Sequence, residues 1–262
     1  MLVCTEIQGL QLQSGLKQAI ASLFSDFSPA DIPLSLCFQR SGLGYRSAIA
    51  KKLAATQAQS PKVLAEQYLE QLAQLNNEKK TAPIWTYHAT ATEQGWLEFF
   101  LNPQSLTHWL ECCHHEFRYT FFGRATNSSK IFDSSLTSNI DPFRFQYLQV
   151  RCAQLSRQAN KLSPNTIGQW HFDDSEQSPI EQALLDSLVA LTFALEQGDF
   201  SERLLLKLDQ AFWDWHRYCP FLGLRHRQPA LFEHYRCWLG LIHTVFVACL
   251  EHVYRVEAIA AL

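Results

Sequence analysis

A stretch near the end of the chain is rich in aromatic, imidazole and guanidinium side chains, which can stack on planar ligands and bind anions. Asp209–Leu222 reads DQAFWDWHRYCPFL. Phe212, Trp215 and Tyr218 recur every third residue, which places them near one face of a helix. A Cys-Pro pair then predicts the end of that helix, because proline cannot continue it. Such a face either belongs to a buried core or forms a platform on which a nucleic-acid base stacks.

Two groups of cysteine and histidine residues are candidates for metal binding or catalysis. The run from 112 to 115 reads Cys-Cys-His-His, but a helix turns by about 100° per residue and directs adjacent ligands apart. Cys112 and His115 alone share a face, and no second ligand pair with recognisable spacing follows them. His216 and Cys219 are spaced as a Cys–His dyad, yet no third group that would orient the histidine is identifiable. We therefore expect no metal site and no catalytic site.

Composition narrows the class of protein. The chain has 262 residues, of which 47% are hydrophobic, so two domains with a sizeable core are possible. The net charge of −3 is not typical of a dedicated nucleic-acid binder, and any RNA contact must come from a local basic patch. No apolar run reaches the roughly 20 residues of a membrane span, and the first residues lack a secretion signal. We expect a soluble cytoplasmic protein whose eight cysteines are reduced thiols.

Periodicity predicts a small α+β domain over residues 1–122. Aromatic-rich runs over Ile84–Ala89 and Trp96–Leu101 predict a β-hairpin, and Asn102 caps the helix that follows. The glycines at 42 and 44 are expected to end a strand that begins at Leu34. The other predicted elements are helices over Leu12–Phe24 and Ala48–Ala55, and a third helix that begins at Ser60-Pro61.

A linker and an all-α domain are predicted after this region. Nine of the eighteen residues in 123–140 are Ser, Thr or Asn, and the segment has no helical or strand periodicity. Residues 141–262 predict an antiparallel bundle of about four helices. Asp141 caps the first helix, and Ser178 with Glu181 has the spacing of a capping box at the start of the second. Gly223–Pro229 is expected to be a loop before the last helix.

The second domain resembles the DALR-type anticodon-binding domain of arginyl-tRNA synthetases, in which a helix ends in Ala-Phe-x-x-Phe-Tyr and is closed by Cys-Pro-Val-Leu. Gln146, Tyr147 and Arg151 match the Gln-Tyr-Ala-His-Ala-Arg segment of the family's opening helix, and the leucine-rich run after Ser178 is similar to its central helix. The residues that match the Ala-Phe-x-x-Phe-Tyr helix end and its closing segment are Ala211, Phe212, Trp215, His216, Cys219, Pro220, Phe221 and Leu222.

The first domain resembles the additional N-terminal domain of the same synthetases. Gly95–Phe99 corresponds to the family's hairpin segment, and Ser60-Pro61 is similar to its Ser-Pro pair. The residues that match its helix-pair motif are Tyr45, Ala50, Leu53 and Ala54, while Gly44 and Ala48 replace the family's Asp and Asn.

The resemblance covers the tRNA-binding parts of a synthetase but not its catalytic part. Synthetases of this class carry a His-x-Gly-His signature and a Lys-Met-Ser-Lys loop. Here no glycine is followed by histidine, and Met1 is the only methionine. No glycine-rich phosphate loop and no nucleophile elbow is recognisable either. We therefore expect a protein without enzymatic activity and without a cofactor.

The resemblance also implies where RNA would be contacted. Tyr147 and Arg151, one helical turn apart, match positions near the anticodon loop, and Trp215 and His216 match the aromatic pair at the other helix end. Trp96 lies where the family's hairpin meets the D-loop. The basic window that completes the expected RNA site contains Arg217, Arg225, Arg227 and Arg236, with Glu233 as its only acid.

Two functions remain open from these residues. The first is non-catalytic binding of tRNA or another structured RNA. The second is a protein-interaction or assembly module, derived from the synthetase, that no longer binds RNA. In the second case the aromatic residues are core and the arginines are solvated, and the carboxylates of Glu93 and Glu98 beside Trp96 repel phosphate.

Overall fold

A computed structural model of the chain describes residues 2–4, 12–24, 27–39, 42–78, 85–121, 141–162, 170, 178–219 and 221–259. The chain divides into two compact units, Met1–Leu106 and Thr107–Leu262. The described part of the first unit combines a sheet with helices and that of the second is helical, which confirms an α+β region followed by a helical region. The predicted linker, 123–140, lies outside the described residues, and a domain boundary at 122 stays a prediction.

The first unit is built on one antiparallel sheet with the strand order β1-β4-β5-β3-β2. Its strands are β1 (Leu2–Cys4), β2 (Leu34–Gln39), β3 (Gly42–Ser47), β4 (Trp85–Ala91) and β5 (Leu97–Leu101). Its helices are α1 (Leu12–Ala21), a 3-10 turn (Pro29–Asp31), α2 (Ile49–Gln57), α3 (Pro61–Glu78) and the start of α4 (Pro103–Phe121). The predicted hairpin is confirmed as the β4–β5 pair.

Two glycine positions explain local features of this sheet. The strand that begins at Leu34 ends at Gln39, before the two glycines, and Gly42 and Gly44 belong to the next strand, β3. Gly44 pairs with Phe100 of β5, and a Cβ atom on Gly44 would lie 2.6 Å from the Phe100 ring. Gly95 turns the hairpin with a positive φ of 77°, and a Cβ there would lie 2.4 Å from Cβ of Pro61. Glycine is thus required at both close approaches.

The second unit contains most of α4 and five further helices. These helices are α5 (Phe143–Leu162), α6 (Pro179–Gln197), α7 (Glu202–Tyr218), α8 (Phe221–Arg227) and α9 (Pro229–His252). Arg225 and Arg227 therefore lie on a short helix rather than in the predicted loop. Cys219 is the C-cap of α7, which confirms the predicted end of that helix. Asp141 caps the start of α5 as predicted, because its Oδ1 accepts from the Phe143 amide at 2.9 Å.

Four helices of this unit form a closed ring. α5 packs against α9, and α6 packs against α7. α5 and α9 are antiparallel, because Phe145 meets Phe246 while Asn160 meets Arg236. Contacts of α5 with α7 and of α6 with α9 close the ring, so that α5 and α6 occupy opposite corners.

The predicted capping box at the start of α6 is wrong. Ser178 is the N-cap, but its side chain makes no capping hydrogen bond. Glu181 instead pairs with the buried His234 and accepts a hydrogen bond from the Trp238 indole at 2.9 Å. The carboxylate is therefore used to join α6 to α9 rather than to cap its own helix. Within the described ranges, no helix has the length and apolar character needed to cross a membrane.

Candidate nucleic-acid interface

Two neighbouring helices of the second unit present a row of aromatic and basic side chains. α5 and α7 run parallel, so that contacts between them recur about once per helical turn and advance in the same direction along both chains. Two pairs result, Arg144 with Asp209 and Tyr147 with Trp213. One turn further along, the charge of Arg151 on α5 acts on His216 of α7. We call the side chains of Arg144, Tyr147, Arg151, Trp213 and His216 the Tyr147 surface.

The centre of the Tyr147 surface is an exposed aromatic ring held by a second ring. Tyr147 is 57% exposed, an unusually high value for a large aromatic residue. Its ring stacks on the indole of Trp213, with centroids 5.7 Å apart and an interplanar angle of 19°. The stack fixes the orientation of Tyr147 while much of its phenol ring stays accessible to a planar ligand.

A buried carboxylate lies beneath this aromatic pair. The Asp209 side chain is 0% exposed and forms an ion pair with Arg144 of α5. Its Oδ1 accepts a hydrogen bond from Nε1 of Trp213 at 3.0 Å. Burial raises the pKa of Asp209, and the hydrogen bonds and charge of Arg144 lower it by less.

His216 lies at the other end of the Tyr147 surface. Its half-buried ring stacks on Phe212, with centroids 5.8 Å apart and an interplanar angle of 13°. Burial, and secondarily the charge of Arg151, lower the pKa of His216. The imidazole is therefore neutral at pH 7 and offers one hydrogen-bond donor and one acceptor.

Formal charge is unevenly distributed around the helical ring. α5 carries Arg144, Arg151, Arg157 and Lys161 and no carboxylate. α6, at the opposite corner, carries Glu181, Asp186 and Glu196 and no Lys or Arg. The Tyr147 surface thus includes a helix with four basic residues and no carboxylate, although the net charge of the chain is −3.

The structure places some of the sequence-predicted residues at or near this surface. The rings of Tyr147 and His216 both contact Trp213, and the charge of Arg151 acts on His216. Arg217 is exposed one residue beyond His216, with Nη1 3.4 Å from Asp214. Arg225 and Arg227 lie on α8, the short helix that follows α7.

Trp215 does not lie on the Tyr147 surface. Its ring is only 2% exposed and packs edge-on against Tyr235 of α9 at 5.2 Å. Residues two positions apart on a helix point in directions that differ by about 200°. Trp213 therefore faces α5 while Trp215 faces the core. Sequence reasoning missed Trp213, although its position four residues after Asp209 places both on one helix face.

Arg236 and Trp96 lie elsewhere. Arg236 of α9 donates to Asn160 at 2.8 Å and to Glu233 at 2.7 Å, in the wall of a cleft of about 530 Å³ between α4, α5 and α9. Trp96 belongs to the first unit, where the Arg46 guanidinium and the Lys51 ammonium lie 4.9 and 4.3 Å from its ring centroid. These two cations lie over the Trp96 ring, which was expected to stack on a base.

The predicted cysteine and histidine groups show no arrangement for metal binding or thiol catalysis. In the described ranges, no three His, Cys, Asp or Glu side chains are grouped so that they could hold a metal ion. Burial raises the pKa of Cys219 to about 11, so its thiol is protonated at neutral pH and is a poor nucleophile. The Cys219 thiol is hydrogen-bonded to Tyr235 of α9.

Comparison with known proteins identifies no relative, because no family model, no curated protein and no solved structure matches the chain.

Proposed function

We propose that this chain is a non-catalytic RNA-binding protein that binds an unpaired stretch of tRNA or another structured RNA at the Tyr147 surface. The proposal extends the sequence resemblance to the anticodon-binding and additional domains of arginyl-tRNA synthetases. One observation carries it: Tyr147 is an exposed ring, fixed by Trp213, between two arginines of a helix that has no carboxylate.

The chemistry of the Tyr147 surface matches what single-stranded RNA requires. An unpaired base that stacks on an aromatic side chain gains about 1–3 kcal/mol. Arg144 and Arg151 are seven residues apart, which is about 10 Å along the helix axis. They therefore flank the ring on both sides, where the phosphates adjoining a stacked base would lie. Guanidinium groups bind phosphate through several N–H donors at once.

Retention of total tRNA on a filter, measured at several salt concentrations, tests this function. Phosphate contacts release counterions, so the affinity should fall steeply as salt increases. Arg151→Ala should weaken binding and reduce the salt slope by about one.

Arg118→Ala is the matched control, because it removes the same charge from α4, where Arg118 lies 3.1 Å from Glu251. The control variant should bind tRNA like the parent protein. Equal losses in both variants would show that only net charge matters and would contradict a specific site.

A protein-interaction function is the second candidate, and a specific observation favours it. Phe143 and Tyr218 are 64% and 68% exposed on the same two helices as Tyr147 and Trp213. Exposed aromatic residues are also enriched at protein interfaces. Absence of tRNA binding even at low salt would contradict the RNA proposal and support this second function for the same surface.

A further inference from the structure

We propose that Asp209 is a positioning residue that makes the Tyr147 surface sensitive to pH. Its carboxylate holds Arg144 and Trp213 in place, and protonation of this carboxylate ends the ion pair with Arg144, weakens the hydrogen bond from Trp213 to an uncharged acceptor, and lowers the affinity for RNA. The effect on RNA rests on the function proposed above, whereas the loosening of Trp213 is a property of the free protein.

The geometry of Asp209 makes it a single support for two parts of the surface. Oδ2 is paired with the guanidinium of Arg144, which is itself 49% exposed, and Oδ1 accepts from the Trp213 indole at 3.0 Å. Trp213 in turn supports the ring of Tyr147. One buried carboxylate thus orients both a cation that contacts phosphate and the platform for the base. Asp209 touches no RNA in this arrangement.

The elements around Asp209 identify the charges that act on it. α5 contributes Arg144, and among the described residues this is the charge that acts on the pKa of Asp209. α6 packs on the other side of α7, but its carboxylates at Glu181 and Asp186 are engaged with His234 and Gln182. Since burial outweighs the effect of Arg144, the pKa of Asp209 is raised above its usual value, and the carboxylate takes up its proton at a higher pH than an exposed aspartate does.

Protonation of Asp209 would lower the affinity for RNA in acid without destabilising the fold. A carboxyl group whose pKa is raised in the folded state binds its proton more tightly there than in the unfolded chain. Protonation of Asp209 therefore favours the folded state as the pH falls, and loss of RNA affinity through this group is not a result of unfolding. Protonation of His216 cannot explain a loss of RNA affinity either, because it adds positive charge beside Arg151 and so favours phosphate binding.

Asp209→Asn in the full chain tests the proposal. The amide keeps an acceptor for the Trp213 indole but has no charge for Arg144. The first measurement is the quenching of Trp213 fluorescence by acrylamide in the free protein, obtained by subtracting the signal of Trp213→Phe. In the parent protein, titrated from neutral pH into acid, quenching should increase as Asp209 takes up its proton, at a higher pH than an exposed aspartate would need. In Asp209→Asn it should change little with pH.

The second measurement is the affinity for total tRNA over the same pH range. The parent should lose about tenfold in affinity toward acid, the effect of one phosphate contact and a loosened stack. Asp209→Asn should bind weakly at both ends of the range. Asp186→Asn is the matched control, since burial also raises the pKa of Asp186, which accepts from Gln182 on α6. It should keep the parent's pH profile.

The outcomes separate the two proposals. Identical pH profiles of parent and Asp209→Asn, in quenching or in affinity, would overturn the role of Asp209. A pH-dependent Trp213 signal with no tRNA binding at any pH would contradict the proposed function and, with it, the effect of Asp209 on RNA. The melting temperature of each variant at both pH values distinguishes these results from loss of the fold.

Discussion

Replacement of Tyr147 by alanine tests the base-stacking role most directly. Tyr147 is 57% exposed, so its removal leaves little of a cavity in the core. The main loss in the free protein is the stack on Trp213, and aromatic pairs contribute about 0.5–1.5 kcal/mol. For a unit of this size, a change of about 1 kcal/mol lowers the melting temperature by only about 2–4 °C.

The expected effect on RNA binding is larger than the effect on stability. Loss of one stacked base costs about 1–3 kcal/mol, which corresponds to about a ten- to hundredfold weaker affinity. Both quantities should be measured on the same preparations, as filter retention of tRNA and as a thermal unfolding curve. Tyr147→Phe retains the ring and should bind within about twofold of the parent, since stacking needs only an aromatic face. Tyr218→Ala removes an exposed tyrosine from the neighbouring helix α7 and should leave the affinity unchanged.

One combination of results would refute the reasoning. If Tyr147→Ala lowers the melting temperature but binds tRNA like the parent, the ring is structural and the RNA site is not at this surface. The protein-interaction function would then remain.

Four other outcomes are expected. Trp215→Ala should lower the free energy of unfolding by about 3–5 kcal/mol in a denaturant titration, because its ring is buried; a loss below about 1 kcal/mol would contradict that burial. Gly95→Ala should destabilise the fold more than Gly198→Ala in the same assay, because both have positive φ but only at Gly95 would a Cβ meet a neighbour, Pro61; equal losses would argue against that contact. Limited proteolysis should cut first within 123–140 and yield fragments of about 14 and 16 kDa, whereas a first cut inside α6 would refute the linker. ATP–pyrophosphate exchange with arginine should stay at background in a pure sample, because both synthetase signatures are missing from the sequence; exchange above background would contradict this expectation.

Local signals in the sequence predicted much of the fold. Asn102 and Asp141 were identified as helix caps, and the structure shows both, because a cap depends on residues within one helical turn. The hairpin was predicted for a similar reason, since its strands and its turn residue Gly95 are adjacent in sequence.

Interactions between distant residues explain where the sequence was insufficient. Glu181 has the spacing of a capping residue, but its partners His234 and Trp238 lie on α9, more than fifty positions away. The choice between Trp213 and Trp215 likewise depends on which side of α7 meets α5. The family pattern selected Trp215, which is buried, and only the packing of the helices reveals that Trp213 supports Tyr147.

The opposite placement of α5 and α6 gives the helical unit a permanent electric moment. Four cationic side chains stand at one corner of the ring and three carboxylic side chains at the opposite corner. The field of a nearby polyanion exerts a torque on this moment and turns the α5 corner toward the polyanion before any contact is made. The torque acts within a Debye length, about 8 Å at physiological salt. For the RNA binding proposed above, the helical unit would therefore be aligned by its own charge distribution despite the net charge of −3. Added salt should slow association more than it speeds dissociation.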